Sequence, residues 1–157
     1  MADQQDERLA RLADRQDIVD QMHAYARWVD LNRVDEQVKV FVEDCRTNFA
    51  KGEDHWMHGR DAMQAFVTGA LAPYSATNHT ISNIEISFET PDRAKAVSYV
   101  QAWHRFKEEQ PDFLAYGRYH DIWVRTPEGW RMEERRFKVA AGTGRSVEGS
   151  EPIGRAL

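Results

Sequence analysis

Two residues far apart in the sequence could together perform acid–base chemistry. Asp30 follows Val29 at the end of a long amphipathic segment, where the negative end of a helix dipole disfavours a carboxylate. His79 lies two residues before Ile81, in a segment whose residues alternate as in a strand. If the two side chains meet, the carboxylate would fix the imidazole tautomer and raise its basicity, which would make His79 a general base near neutral pH.

Each residue also has an ordinary structural explanation, since Asp30 could turn the chain and His79 could be a satisfied core residue. Tyr25 and Trp28 occupy the last turns of the same helix, and Tyr25 could present a phenol to a pocket or be a half-buried core residue. His104 shares a strand face with smaller residues, so its imidazole could point the same way as that of His79.

The other polar residues do not suggest a second reactive site. Arg118 and Arg135 lie in strands, where they could bind an anion or pair with a cross-strand acid, and the pairing role is favoured for Arg118. His55 and His58 have an HxxH spacing without a third ligand, whereas zinc sites use three or four. Cys45 has no catalytic His near it in sequence, and no Gly-rich phosphate loop is present. The sequence therefore predicts neither a metal nor a cofactor.

Composition narrows the class of protein. The 157 residues are 41% hydrophobic, enough for one domain with a core of its own. The net charge of −5 argues against binding to nucleic acid, which requires a basic surface. No apolar run approaches the roughly 20 residues that cross a bilayer, so no membrane association is expected. A lone Cys45 and an acidic N-terminus without a leader pattern favour a cytoplasmic location.

Periodicity predicts three helices. Residues from about 6 to 30 carry apolar side chains near i, i+3, i+4 and i+7, as in one long amphipathic helix. Asn32 is a good N-cap for a second, short helix that should stop near Asp44. A third helix is predicted from Gly59 to Leu71 and is ended by Pro73.

From Thr77 onward the apolar period changes to two, which predicts a sheet. The apolar residues switch faces between Ile81 and Ile84, and a β-bulge near Ser82 and Asn83 would produce this switch. Strands are expected at Cys45 to Ala50, Ala94 to Lys107, Leu114 to Arg125 and Trp130 to Val139.

Helices followed by a meander predict an α+β domain over residues 1–140, with three N-terminal helices packed in a curved antiparallel sheet. Residues 141–157 contain four Gly and two Ser, so they are expected to form a flexible tail or an oligomer arm that orders on a neighbouring copy.

This order of elements and four short motifs resemble the SnoaL-like branch of the nuclear transport factor 2-like (NTF2-like) superfamily. The motifs are Tyr25-Ala26-Arg27-Trp28-Val29-Asp30, Asn78-His79-Thr80-Ile81-Ser82-Asn83, Gly117-Arg118-Tyr119 and Gly129-Trp130-Arg131. The similarity runs from about Asp17 to Phe137. It implies a cystatin-like cone, as in scytalone dehydratase, bile-acid 7α-dehydratase and hexachlorocyclohexane dehydrochlorinase, whose mouth holds an Asp–His pair and no metal.

The resemblance implies catalytic roles for four residues. Asp30 and His79 match the dyad, Tyr25 falls where some dehydratases carry a Tyr, and His104 falls where scytalone dehydratase carries its second His.

Three further residues, Trp28, Phe49 and Arg135, are expected to contact the substrate. Phe49 stands in the strand where dehydratases often place a second Tyr, and Arg135 falls near the arginine of the dehydrochlorinase. Strict alternation from Trp130 and Met132 puts Arg135 on the other face unless the strand bulges.

The expected function is that of a cofactor-independent lyase or isomerase that abstracts a proton from a small hydrophobic or aromatic ring substrate. The alternatives are a non-catalytic protein that binds a hydrophobic ligand and an accessory subunit with the same fold. A homo-oligomer, dimer or trimer, is expected because a second copy would cover the outer face of the sheet. Four aromatic residues could supply that face, namely Tyr99, Trp103, Tyr119 and Trp123.

Overall fold

Helices precede most of the strands along the chain. The computed structural model describes residues 2–143, 149 and 151–153, with side chains from residue 4 onward. The helices are α1 (Ala2–Asp30), α2 (Val34–Gln37) and α3 (Arg60–Leu71), with 3₁₀ turns at Val38–Val40 and Glu53–His55. The strands are β1 (Phe41–Asn48), β2 (Met57–His58), β3 (Tyr74–Thr90), β4 (Arg93–Phe106), β5 (Phe113–Thr126), β6 (Gly129–Thr143) and β7 (Glu151–Pro152).

The described strands form one curved sheet against which α1 packs. The strand order is β2-β1-β6-β5-β4-β3, and β7 also pairs with β6. Strands β3 to β6 are the predicted antiparallel meander. The sheet is nevertheless mixed, because β1 and β7 both run parallel to β6. The chain between β1 and β6 contains α3 and the strands β3 to β5, so it is long enough to bring β6 beside β1 in the parallel direction.

The second helix is shorter than predicted. It ends at Gln37, a 3₁₀ turn follows, and the chain is already a strand at Phe41 rather than a helix as far as Asp44. Phe41 is fully buried and pairs with Met132 of β6. Pairing with a distant strand therefore overrides the local i, i+4 spacing, and β1 begins four residues before the predicted Cys45.

The predicted bulge in β3 is confirmed. The register between β3 and β4 shifts between Ser82 and Glu85, and Asn83 adopts a left-handed φ of 48°. The partly buried residues before the bulge include Thr77, His79 and Ile81, and those after it are Ile84, Ile86 and Phe88. One extra residue thus returns the apolar side chains to the inner face of the sheet.

The inner face of the sheet carries two aromatic residues that the sequence placed outside. Tyr119 is 4% exposed and Trp123 is fully buried, whereas Tyr99 is 40% exposed on the outer face. The prediction was wrong for Tyr119 and Trp123, because antiparallel pairing sets them opposite Ser98 and Ala94, small inward residues of β4 that leave room for large rings.

Candidate active site

The end of α1 meets the middle of β3 through Asp30. Its Oδ1 lies 2.7 Å from Nδ1 of His79 and accepts a 2.8 Å hydrogen bond from Oγ1 of Thr77. Its Oδ2 accepts the backbone N–H of His79 at 2.8 Å. The helix ends here because Asn32, two residues further on, adopts a left-handed φ of 54°. The two residues that the sequence singled out are therefore in direct contact.

These contacts keep Asp30 ionised. Burial of the half-buried carboxyl would raise its pKa, but the hydrogen bonds from the side chain and backbone of His79 outweigh burial, and the pKa is lowered from its ordinary value of 3.8. An ionised carboxylate only accepts hydrogen bonds. Nδ1 of His79 must therefore carry the proton, and Nε2 is left as the basic nitrogen.

His79 forms part of the wall of a partly open cavity of about 780 Å³. Most of the lining is aromatic or small. The aromatic residues are Tyr25, Phe49, Phe66, Tyr74, Phe113, Tyr119 and Phe137, and the small ones include Ala65, Ala70, Ala102, Ala115 and Gly69. The polar groups of this lining are the imidazoles of His79 and His104 and the phenols of the three tyrosines.

His104 lies beside His79 in the cavity. The two rings meet edge to face with centroids 5.4 Å apart, and the His104 ring stacks on Phe113 at 5.3 Å. Burial and the neighbouring His79 lower the pKa of His104 to about 4. At neutral pH His104 is therefore an uncharged imidazole, which carries one N–H donor.

Tyr25, which the sequence suggests as a catalytic residue, and Phe49, which it suggests as a substrate contact, also line the cavity. Phe49 stacks against Phe66 of α3 with ring centroids 5.2 Å apart. Tyr119 is a lining residue that the sequence reasoning missed as a site residue. The motif Gly117-Arg118-Tyr119 contained a signal, because a glycine two residues away on the same face leaves space beside the ring.

Arg135 lies behind the cavity wall and does not line it. Strand β6 bulges at Glu133, since Ile122 pairs with Glu134 while Trp123 pairs with Met132, and this bulge turns Arg135 inward. Its Nε and Nη2 donate to the two carboxylate oxygens of the buried Asp121 at 2.8 and 2.7 Å. The expectation of substrate contact is corrected, because Asp121 holds the guanidinium.

Trp28 is also outside the cavity lining. Two guanidinium groups lie over its ring, with Cζ of Arg27 at 4.9 Å and Cζ of Arg33 at 5.9 Å from its centroid. Residues two apart in a helix are separated by about 200° around its axis, so Trp28 and Asp30 face opposite sides of α1. The prediction of a substrate-contacting Trp28 was wrong for this reason.

A second, shallower cavity of about 480 Å³ lies on the other side of the Asp30–His79 pair. Its lining includes His23, Arg27, Asp30 and His79, together with Leu31. His79 therefore lines both cavities, whereas Asp30 lines the second cavity and not the main one.

Two short stretches are described beyond Thr143, at Gly149 and at residues 151–153. Gly149 lines the main cavity, and its carbonyl accepts a 2.8 Å hydrogen bond from the backbone N–H of Lys51. Glu151 pairs with Arg136 and Lys138 of β6, beside the parallel pairing of β7. The rest of the predicted tail, residues 144–148, 150 and 154–157, lies outside the described residues.

The described part of the chain shows neither a cluster of metal ligands nor a membrane-spanning helix. No group of three or more His, Cys, Asp or Glu side chains there is arranged to hold a metal ion. No helix in that part is both long and apolar enough to cross a membrane.

Comparison with known proteins yields one family and a set of similar structures. The SnoaL-like domain model matches residues 10–136. A scytalone dehydratase-like protein from Novosphingobium aromaticivorans is 32% identical over 100% of both chains, with a TM-score of 0.87. An aromatic ring hydroxylase-like protein of the same species is 26% identical over 85% of this chain and 94% of its own, with a TM-score of 0.78.

A hexachlorocyclohexane dehydrochlorinase from Novosphingobium barchaimii shares the fold. It is 17% identical over 92% of this chain and 99% of its own, with a TM-score of 0.77. No curated protein sequence matches the chain.

Proposed function

Because this chain belongs to the SnoaL-like domain family of the NTF2-like superfamily, we propose that it is a cofactor-independent lyase or isomerase in which His79, oriented by Asp30, is the general base. The observation that carries this proposal is the 2.7 Å contact between Nδ1 of His79 and Oδ1 of Asp30 in the wall of an aromatic cavity. Dehydratase-like neighbours support chemistry of this type on the fold.

The proposed step is removal of a proton next to a carbonyl group or another activated carbon. The C–H bond breaks, Nε2 of His79 takes the proton, and the electron pair forms an enolate or expels a leaving group from the neighbouring carbon. The imidazolium that results is stabilised by the ionised Asp30. General base catalysis of this kind contributes about 10²–10⁴-fold, and orientation in the cavity adds to it.

His104 and Tyr25 are the proposed groups for the developing negative charge or the leaving group. The lowered pKa of His104, about 4, keeps it neutral, and burial raises the pKa of Tyr25, so both keep a proton to donate at pH 7. Phe49 is proposed to contact the substrate through its ring, which lines the same cavity.

The proposed substrate is a neutral hydrophobic or aromatic ring compound. Seven of the described residues that line the main cavity are aromatic. No Lys, Arg, Asp or Glu is among the described lining residues. A charged substrate would lose hydration there without gaining an ion pair.

Hydrogen–deuterium exchange of the bicyclic ketone 1-tetralone and related ring ketones in D2O, followed by NMR, tests the proposal. The wild-type protein should accelerate exchange of the protons next to the carbonyl. His79→Gln and Asp30→Asn should each slow this exchange by about 10²–10⁴-fold. His58→Gln, which changes an exposed His, should retain the wild-type rate. Full activity in both dyad variants would contradict the mechanism.

The alternative is a non-catalytic protein that binds a hydrophobic ligand, and the size and aromatic lining of the cavity support it equally. Tight binding of the same ketones without any exchange of their protons would favour this alternative.

We also propose that the protein acts in the cytoplasm as a homo-oligomer. The free Cys45 supports a reducing compartment. Tyr99 and the partly buried Trp103 on the outer face of the sheet support a contact between copies. Light scattering measures the mass in solution, and a monomer of 18.2 kDa would contradict the proposed homo-oligomer.

A further inference from the structure

The second cavity opens between the last turns of α1 and the edge strand of the sheet. Strand β3 is the final strand in the sheet order, and α1 packs against it. The residues that line the cavity are His23, Ala26, Arg27, Asp30, Leu31, His79 and Ile81. Its volume of about 480 Å³ lies within the roughly 300–1,000 Å³ that small-molecule sites occupy. The cavity is therefore large enough for a ligand of its own.

An apolar surface forms one part of this cavity. The lining residues of α1, from His23 to Asp30, follow the i, i+3, i+4, i+7 spacing of a single helix face. Leu31 comes directly after this face and is 59% exposed, and it lines the cavity together with the partly buried Ile81. A ligand that covers these two side chains removes apolar surface from water, which favours binding. The apolar body of a ligand therefore has a place beside Leu31 and Ile81.

The carboxylate of Asp30 supplies a hydrogen-bond acceptor to the same cavity. Its side chain is 21% exposed although it does not line the main cavity, so the exposed part faces the second cavity. Oδ1 accepts hydrogen bonds from Thr77 and from Nδ1 of His79, whereas Oδ2 accepts the backbone N–H of His79. A carboxylate has about four acceptor sites. Oδ2 therefore keeps one acceptor site for a donor in the second cavity.

The electrostatics of the second cavity favour a cation. The guanidinium of Arg27 is engaged with the ring of Trp28, which does not line the cavity, and Cζ lies 4.9 Å from the ring centroid. Asp30 is thus the charge that faces a ligand. The negative end of the α1 dipole also lies at this end of the helix and attracts positive charge.

We propose that the second cavity binds a small primary amine with an apolar body. The ammonium group donates a hydrogen bond to Oδ2 of Asp30, and the apolar body packs on Leu31 and Ile81. Such a ligand contacts the Asp30–His79 pair from the side opposite to the main cavity. The site is separate from the cavity of the proposed function, and its existence does not depend on His79 acting as a base.

NMR titration with n-hexylamine, 1-hexanol and hexanoate, which share one alkyl chain and differ in their head groups, tests the site. Dissociation constants are taken from the backbone amide signals of Leu31 and Ile81. At pH 7 the wild-type protein should bind hexylamine at least about tenfold more tightly than hexanol, the ratio expected for a hydrogen bond to a charged group. Hexanoate should bind more weakly than hexanol, because Asp30 repels its carboxylate.

Variants separate the two parts of the site. Asp30→Asn should abolish the preference for hexylamine over hexanol. Leu31→Ser should weaken the binding of both probes severalfold, because it removes apolar contact and leaves the carboxylate in place. Leu9→Ser, at a Leu of similar exposure near the other end of α1, should leave both affinities unchanged. Thermal unfolding checks that each variant is folded, and Leu31→Ser keeps the test valid if Asp30→Asn is not.

Three outcomes would overturn the inference. Equal affinity for hexylamine and hexanol at Leu31 and Ile81 would show that Asp30 does not bind the ammonium group. Tighter binding of hexanoate would assign the cavity to anions held by Arg27 and His23. Displacement of hexylamine by 2-naphthol, a neutral ring probe for the main cavity, would place the amine in the main cavity. Ketone exchange by His79→Gln decides the proposed mechanism, whereas the amine titration decides this site alone.

Discussion

Asp30 binds His79 twice, once through the imidazole Nδ1 and once through the backbone N–H, at 2.7 and 2.8 Å. The first contact sets the tautomer of the ring, and the second fixes the strand that carries it to the end of α1. Because the backbone N–H of His79 is held as well, the strand cannot move away from Asp30 without breaking a second hydrogen bond. The dyad is thus built into the junction between helix and sheet.

Asp30→Asn should therefore lower stability as well as exchange activity. The amide keeps the shape of the side chain but loses its charge-assisted hydrogen bonds, which should reduce the free energy of unfolding at pH 7 by about 1–3 kcal/mol. Urea unfolding measures this change, and Asp54→Asn, at an exposed acid, should be neutral. Equal stability of the Asp30→Asn and wild-type proteins would show that the carboxylate does not tether β3.

The same variant predicts a pH dependence. The pKa of Asp30 is lowered in the folded protein, so its contribution to stability is fully present above 3.8, the ordinary value for the unfolded chain. This contribution is lost as the pH falls from there through the folded pKa. The stability difference between the wild-type protein and Asp30→Asn should therefore be large at pH 7 and shrink below pH 3.8. A difference that stays constant with pH would contradict the assignment.

His104 should make the protein less stable in mild acid. Its pKa is about 4 when folded and 6.5 when unfolded, so the unfolded chain binds a proton first as the pH falls. Stability is therefore lost from about pH 6.5 down to about pH 4. When the pH is lowered from 7.5 to 4.5, the free energy of unfolding should fall by about 2 kcal/mol less in His104→Phe than in the wild-type protein.

Urea unfolding at the two pH values provides the measurement, and NMR titration reports the pKa of His104 directly. The variant His58→Gln, at an exposed His, should lose as much free energy of unfolding between pH 7.5 and 4.5 as the wild-type protein. A His104 ring that titrates near 6.5 in the folded protein would contradict the burial described above.

Gly117 should not tolerate a side chain. A Cβ at this position would lie 2.3 Å from Cε2 of Phe137 and 2.5 Å from the backbone oxygen of Lys138. The ring of Phe137 could rotate away from the new methyl group, but the contact with the backbone of Lys138 can be relieved only if strand β6 moves. Gly117→Ala should therefore destabilise the protein by about 1–3 kcal/mol. Gly69→Ala in α3, where no heavy atom lies within 4 Å, should be neutral or stabilising by up to about 1 kcal/mol. Thermal unfolding compares the two variants.

The chain after Thr143 should slow the exit of ligands. Removal of residues 144–157 eliminates Gly149 from the cavity wall and the contacts of Glu151 with β6. The dissociation rate of 2-naphthol, measured by stopped-flow fluorescence, should rise severalfold, and Glu151→Gln should give part of this increase. Glu109→Gln, at an exposed acid, should leave the rate unchanged. Equal rates in the shortened and full-length proteins would show that this segment does not restrict the mouth.

Sequence patterns predicted the elements that follow from local spacing. The bulge at Asn83 was predictable because Ile81 and Ile84 cannot share a face without one extra residue. The contact between Asp30 and His79 was predictable only as a possibility from two unusual positions, and the resemblance to a family gave it weight.

Features that depend on distant pairing were not predictable. Phe41 becomes a strand residue because it pairs with Met132 about 90 residues later, which no local pattern contains. Both faces of β5 carry apolar residues, so alternation alone could not decide that Tyr119 and Trp123 point inward. Arg135 turns inward through a bulge at Glu133 that has no apolar signal of its own.

The bulge at Asn83 also divides β3 into two units that can change independently. The half before it, with Thr77 and His79, serves the cavity, whereas Phe88 in the half after it packs on Trp130. The extra residue shifts the phase of the strand, so that the inward positions are odd-numbered before the bulge and even-numbered after it, and the two halves present separate sets of side chains to the interior. In evolutionary terms, the cone could acquire a different chemistry at its mouth while the same strand continues to hold its narrow end together.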